Sequence, residues 1–501
     1  MAARYWVGGT GNWNGTAGSK WATTSGGAGG AAVPTAADDV FIDAASGAVT
    51  VTISAVATCR NFDCTGFTGT FAGTNGWTVS GNFTLVSGMT YSNTSTITFD
   101  ATSGTQAITT AGHTIGGNFT FNGVGGTWQL QDHLTIVTGK TITLTNGSLD
   151  LNAKNITVGN MVSNNSNVRT LNITNCTITL NNTGSTWNFN TTTNLTLTTT
   201  GSTIIISDAT TTAKNFAGGG KTYNILTVSG DNVIISGANT FTTININNAG
   251  LTTGLVLTSG VTQTVTNLSS NGSIGNLTKL VSSSAGSAAT ISKSSGTVTL
   301  NYMSIKDSTA TGGATFRAPL STNVSGNTGW LFDLSLSISA ASFAVTGNAT
   351  GLYLGRKVVA DVAAFTLSGN ATGLLATRQL SISTASYLFT GNATALNKGF
   401  SLSANAAQYV FTGIATGLYK SFNLSCNAAQ YLFTGLATGV YATRNMAAAV
   451  ANYILTGQNV TPKAVRALAG AAAAYTLTGN NAELTYTGGV TTTGGNFLAY
   501  M

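Results

Sequence analysis

Residues Gln408 to Met446 read QYVFTGIATGLYKSFNLSCNAAQYLFTGLATGVYATRNM and nearly repeat themselves. Tyr409-Val410-Phe411-Thr412-Gly413 returns as Tyr431-Leu432-Phe433-Thr434-Gly435, 22 residues on. Outward from this stretch, the motif glycine falls at Gly347, Gly369, Gly391, Gly413, Gly435, Gly457 and Gly479, every interval being 22. The aromatic four residues earlier is Phe343, Phe365, Tyr387, Tyr409, Tyr431, Tyr453 and Tyr475. A fixed period of this size marks a repeat architecture, in which each unit buries its apolar side against its neighbours.

The first six units carry a cation two residues before an apolar residue: Arg356/Val358, Arg378/Leu380, Lys398/Phe400, Lys420/Phe422, Arg444/Met446 and Arg466/Leu468. The distance from the glycine changes by two between units and never by one. A two-residue slip leaves every side chain of a strand on its own face, whereas a one-residue slip inverts them all. In a helix the same slip swings a side chain by about 200°. The units therefore read as pairs of strands, with Tyr409 and Phe411 on one face of the first and Phe422 and Leu424 on one face of the second. Gly413 through Gly417 reads as the turn between them. One solenoid turn per unit and successive antiparallel hairpins both fit. Stacked turns would bring like charges together, which is unfavourable. The cations then point to solvent, where they keep strand edges from sticking, or they meet an anionic partner.

Composition agrees with an all-β chain. Only 7% of the 501 residues are charged, against about 25% in ordinary soluble domains. Glu483 is the single glutamate among 13 acidic residues. Helices use Glu, Lys and Arg heavily because unbranched side chains lose little rotamer freedom there. Abundant Thr, Val, Ile and Asn favour strands instead. The net charge of +7 comes without a basic cluster interleaved with aromatics, so no nucleic-acid partner is expected. No apolar run approaches the length of a membrane-spanning helix, so no membrane insertion is expected. The opening residues lack a charged segment followed by an apolar run, so no signal peptide is expected. Assembly inside a cell and release by lysis would suit such a chain.

Residues 1 to about 330 show looser repetition. Short alternating runs recur, as in Asn82-Phe83-Thr84-Leu85, Asn118-Phe119-Thr120-Phe121, His133-Leu134-Thr135-Ile136, Asn155-Ile156-Thr157-Val158 and Asn194-Leu195-Thr196-Leu197. Turn clusters such as Asn146-Gly147 and Asn181-Asn182-Thr183-Gly184 divide them. The pattern predicts a parallel β-helix with aliphatic columns inside and Asn or Thr ladders at the bends. A β-sandwich is the competing architecture, disfavoured because the pattern runs the whole way without a domain break. The expected organisation is a Trp- and Gly-rich cap or attachment segment (1–45), a β-helix (46–332) and the seven-unit β-repeat (333–501).

The opening Tyr5-Trp6-Val7-Gly8-Gly9, with Trp13, Trp21, a Gly-rich run, Pro34 and Asp38-Asp39-Val40, resembles the start of β-helical proteins of tailed bacteriophages, prophages and bacterial surface repeats. Ser325 to Phe332, SGNTGWLF, is similar to the closing motif of those domains, and the 22-residue tail resembles repeats of phage tail-associated proteins. The resemblance implies a virion structural protein of tail-fibre or appendage type, assembled with other virion proteins and with itself, a trimer being one option. It implies no catalytic residues. A capsid decoration or collar protein and a secreted adhesin are the alternatives. A solenoid end needs covering, or its open edge recruits another chain. Trp6, Trp13 and Trp21 are expected to plug the first turn and Trp330 to close the last. Exposed Trp for sugar binding is the rival reading.

Candidate chemistry is sparse. Gly26-Gly27-Ala28-Gly29-Gly30 lacks the helix and Lys-Ser/Thr pair of a phosphate loop. Cys59, Cys64, Cys176 and Cys426 are expected as isolated buried thiols, with a Cys59–Cys64 disulfide or a metal site as alternatives. His113 and His133 stand alone, and no cofactor or metal is expected. A tailspike-like glycan hydrolase would need two carboxylates about 5–9.5 Å apart. Asp132 with Asp150, or Asp208 with Asp231, have the spacing to sit on adjacent turns. The anionic-surface candidates are Arg356, Arg378, Lys398, Lys420, Arg444 and Arg466. Lipopolysaccharide phosphates or acidic glycans would be their partners, and such binding weakens with salt.

Overall fold

A computed structural model describes residues 2–14 and 19–332 with their side chains. Beyond 332 it describes backbone pairing of strands between Ser337 and Tyr500. The chain divides into two compact units, Met1–Phe332 and Asp333–Met501. The first is a stack of strands and bends, with a 3₁₀ turn at Ala44–Ser46.

It is a parallel β-solenoid of about 13 turns. One column shows the principle. Ala57, Trp77, Ile97, Phe119, Ile142, Met161, Trp187, Phe216, Ile235 and Leu257 are successive partners in the ladder. All ten are buried. Each points inward because alternate residues of a strand face the same side. Burying one such side chain contributes about 1.5–3 kcal/mol. A second column runs Ile156, Ile178, Ile204, Leu226, Ile244 and Leu268. Turn length is not fixed: the turn from Trp187 to Phe216 is half as long again as the one from Ile142 to Met161. Extra residues loop out at the bends and leave the column intact. The competing sandwich needs antiparallel partners, and here the ladders are parallel.

The strands form a 21-stranded array that wraps one corner, and sheets of four, ten and three strands. Phe119–Leu130 and Thr141–Asp150 run through the corner unbroken. Asn146-Gly147 is therefore no turn but the bend within Thr141–Asp150. Gly147 has φ +78, and a Cβ there would meet the carbonyl oxygen of Gly123 at 2.4 Å. Glycine lets the strand fold over the corner without ending.

The bends carry the expected polar ladders. Asn82 Oδ1 accepts from Ala107 N at 2.8 Å, Asn118 Oδ1 from Thr141 N at 2.9 Å and Asn155 Oδ1 from Thr177 N at 2.8 Å. Each satisfies a backbone donor on the next turn.

The tryptophans cap as expected. Trp6, Trp13 and Trp21 are buried, which removes the exposed-Trp alternative. Trp13 and Trp6 both pack edge-on against Trp21, at 4.9 and 5.1 Å between centroids. Trp21 Nε1 donates to Trp13 O at 3.0 Å. Trp21–Ala22 pairs antiparallel with Ala3–Trp6, folding the leader across the end of the stack. At the other end Trp330 pairs with Phe316 and is 7% exposed. Cys59, Cys64 and Cys176 are free and buried, so no Cys59–Cys64 disulfide forms. Burial pushes the Cys59 and Cys64 thiols well up. The side chain of Cys426 lies outside the described residues.

In the second unit every 22-residue unit pairs in parallel with the next. Tyr387, Tyr409, Tyr431, Tyr453 and Tyr475 are successive partners, as are Gly347, Gly369, Gly391, Gly413 and Gly435. Successive antiparallel hairpins are excluded. Gly457 and Gly479 lie outside the described residues. Two sequence expectations change. Ala407–Tyr419 is one strand, so no turn stands at Gly413 through Gly417; ladder pairing continues on both sides of Ile414. Val358, Leu380, Leu402, Leu424, Met446 and Leu468 form one register. The two-residue shift thus belongs to the cation-bearing segment and not to the strand that follows it.

Candidate functional site

Of the four candidate carboxylates, Asp132, Asp208 and Asp231 sit at bends of the solenoid and Asp150 ends the strand Thr141–Asp150, and main-chain donors engage each of them. Asp132 Oδ1 accepts from Thr110 N at 3.0 Å, and its other oxygen from Ala111 N. Asp150 accepts from Asn152 N at 3.0 Å, Gln129 Nε2 at 3.0 Å and Asn172 Nδ2 at 2.9 Å. Because Gln129 and Asp150 are ladder partners, this carboxylate links three consecutive turns. Asp208 Oδ1 accepts from Thr210 N at 3.0 Å. Asp231 is buried, and its Oδ1 accepts from Asn232 N, Thr253 N and Gly254 N at 2.7–2.8 Å.

Asp208 and Asp231 do lie on adjacent turns, as their spacing suggests: Asp231 N donates to Asp208 O at 3.2 Å. Between them sits Lys214, fully buried. Its Nζ lies 2.9 Å from Asp208 Oδ1 and donates to Asp231 O at 3.0 Å and to Thr210 O. Burial alone would raise Asp208, but hydrogen bonds from Thr210 and Lys214 hold its carboxyl below the ordinary value. A glycosidic general acid needs the opposite shift. The Asp208–Lys214 pair thus anchors a bend, and its contribution has a definite pH sign. A carboxylate with a depressed folded pKa stabilises above its unfolded value, about 3.9. That stabilisation disappears as pH falls through the lower folded value. Asp208→Asn is expected to flatten the loss of stability in this window below pH about 4. Urea midpoints measured at intervals from neutral to strongly acidic pH check this; an unchanged slope would contradict it.

Sequence reading missed a second buried cation. Arg169 is 1% exposed, and its acceptors are a hydroxyl and main-chain carbonyls. Its guanidinium donates to Ser163 Oγ at 2.6 Å, Asn167 O at 2.7 Å, Thr193 O at 2.9 Å, Ser163 O at 3.1 Å and Thr191 O at 2.5 Å. Five rigid donors meet five acceptors on two neighbouring bends. Desolvation lowers its pKa from the usual arginine value. The signal was present: Arg169-x-Leu171-x-Ile173 and Lys214-x-Phe216 each place a charge in an inward slot of an alternating strand.

His113 Nε2 lies 2.8 Å from Val86 O, and His133 Nδ1 accepts from Asn155 N at 2.9 Å. Among the described residues no three His, Cys, Asp or Glu side chains cluster as metal ligands. Arg356, Arg378, Lys398, Lys420, Arg444 and Arg466 all lie outside the described residues. No described helix is long and apolar enough to cross a membrane. Comparison of the chain with protein-family models, with curated proteins and with solved structures returns no match.

Proposed function

We propose that the chain is a structural protein of a bacteriophage particle, a tail-fibre or appendage component that acts as a rigid spacer and contributes to host-surface adhesion. The observation that carries the reading is the unbroken inward column from Ala57 to Leu257 beneath a tryptophan-plugged first turn. Such a stack is a mechanical element. Every turn is held by main-chain ladders and by apolar contacts to both neighbours, so local opening must break both. The bend carboxylates fit the same role, since they bind the main chain. The phage assignment rests on the resemblance of the Tyr5-Trp6-Val7-Gly8-Gly9 opening and of Ser325 to Phe332.

The test is location. Antibody raised to the purified chain, applied to particles released by lysis of the producing cells, is expected to label tail structures in negative-stain micrographs. Label confined to heads would replace the tail reading with a capsid-decoration one, and unlabelled particles would overturn both. In parallel, incubation with host polysaccharide is expected to release no oligosaccharide, and release that disappears in Asp208→Asn or Asp231→Asn would establish a hydrolase instead.

A further inference from the structure

Charge is distributed unevenly around the solenoid. The four-stranded sheet lies next to the first strand of the ten-stranded sheet, whose ladder runs from Thr114–Ile115 through Ile205 and Ile225 to Asn267–Ser270, with Ala289–Ser292 and Ser308–Thr311 joined at the other end of Thr262–Ser270. Among the described residues, none of their fourteen strands contains Asp, Glu, Lys or Arg. They run from Gly11–Asn12 and Thr50–Ile53 through Thr177–Leu180 and Thr203–Ile206 to Ser308–Thr311. The 21-stranded array, by contrast, carries Arg4, Asp39, Asp63, Asp150, Lys279 and Lys306 within its strands.

The outward positions of the uncharged side are small and mostly hydroxylated. Thr50, Thr70 and Thr90 are successive partners, and so are Thr135, Thr157 and Thr179, with Thr114 opposite Thr135. Two aliphatic residues interrupt them. Ile205 and Ile225 lie on adjacent turns, one beside Thr227 and the other beside Thr203. Both face outward, because Ile204, Ile206, Leu226 and Val228 take the buried slots, and both are half-buried.

We infer that this uncharged side is where copies of the chain meet, packed side by side and parallel with Ile205 and Ile225 at the contact. The inference rests on the reading of the chain as an assembling structural protein. In a parallel homo-oligomer about an axis along the stack, each side chain lies level with its own copies. Any charge on the meeting face would then oppose its like, which is unfavourable. The fourteen strands of these two sheets, free of charge, satisfy that condition, and the array of 21 strands and the short sheet with Arg317 do not. Size is adequate. Fourteen strands at about 4.8 Å make a strip of about 65 Å. With about 10 Å of width it offers roughly 650 Å² per copy, near the roughly 800 Å² of a standard interface. A neutral glycan is less well matched, because the outward positions of these strands carry no aromatic ring for a sugar to stack on.

Sedimentation of the full chain at micromolar concentration tests this. The unaltered protein is expected to sediment as an oligomer, and Ile205→Lys with Ile225→Lys to shift it to a monomer with unchanged far-ultraviolet circular dichroism. Thr78→Lys with Thr120→Lys, on the outward face of the 21-stranded array, is expected to leave the oligomer intact and serves as the folding control. Thr157→Cys in a Cys426→Ser background provides an independent readout, since copies meeting at this face should cross-link under oxidation while Cys59, Cys64 and Cys176 stay buried. A monomeric unaltered protein, or an oligomer that survives the lysine pair, overturns the inference. Neither result bears on particle labelling, so this proposal and the location assignment fail separately.

Discussion

Trp13→Ala is expected to destabilise the N-terminal turns by about 3–5 kcal/mol, the range for deleting a buried tryptophan. Trp13 is fully buried and packs against Trp21, Phe62, Phe71 and Trp77 at centroid distances of 4.9–6.5 Å. Its indole N–H has no acceptor, so the loss is one of packing. Trp13→Phe should therefore cost much less. The second consequence is exposure. With the plug gone, the strand edges of Ala3–Trp6 and Gly11–Asn12 become available to other chains. Hydrogen exchange resolved along the chain should show faster exchange from Ala3 to Ile53 with little change beyond Thr200, because each turn contacts only its neighbours. Light scattering should rise in the alanine variant. Uniform loss of protection along the whole stack would contradict the plug role.

Arg169→Met is expected to cost about 2–4 kcal/mol, since it leaves buried acceptors of two bends without donors. Four of those acceptors are main-chain carbonyls, of Ser163, Asn167, Thr191 and Thr193. Methionine fills much of the space, so the deficit is one of hydrogen bonds and not of volume. Arg169→Lys should recover only part, because an ammonium offers three donors where the guanidinium offers five. Urea unfolding followed by tryptophan fluorescence reads the effect through Trp187, which packs at 4.3 Å against Phe189 just before Thr191. A methionine variant as stable as the parent would mean that water satisfies the bends without the guanidinium.

The strand class was legible from pattern alone. Alternation through Phe83, Phe119, Leu134, Ile156 and Leu195 marked real strands; beyond Asp333 the strands are there as expected, although the two-residue shift used to argue for them falls outside their register. The tryptophan plug was legible because a solenoid end has only a few ways to be closed. Other features were not. Asn146-Gly147 reads as a turn in any window, and only its neighbour's carbonyl at Gly123 reveals a corner. Spacing did bring Asp208 and Asp231 to adjacent turns, but it could not give the exact ladder partner of Asp150, which is Gln129, and turns as unequal as Ile142 to Met161 and Trp187 to Phe216 stack in one column. Arg169 and Lys214 were visible as charges in inward slots, yet their acceptors are mostly main-chain carbonyls, which no residue type announces.

The uninterrupted 22-residue register of the second unit has a genetic consequence. A duplication or loss of one whole unit leaves every remaining strand opposite the same kind of neighbour. Unequal recombination between such near-identical stretches would lengthen or shorten the array by one strand spacing, about 4.8 Å, without disturbing any other pairing. Reach could thus be tuned in discrete steps, while a change of any other size has to loop out at a bend, as the unequal turns of the first unit do.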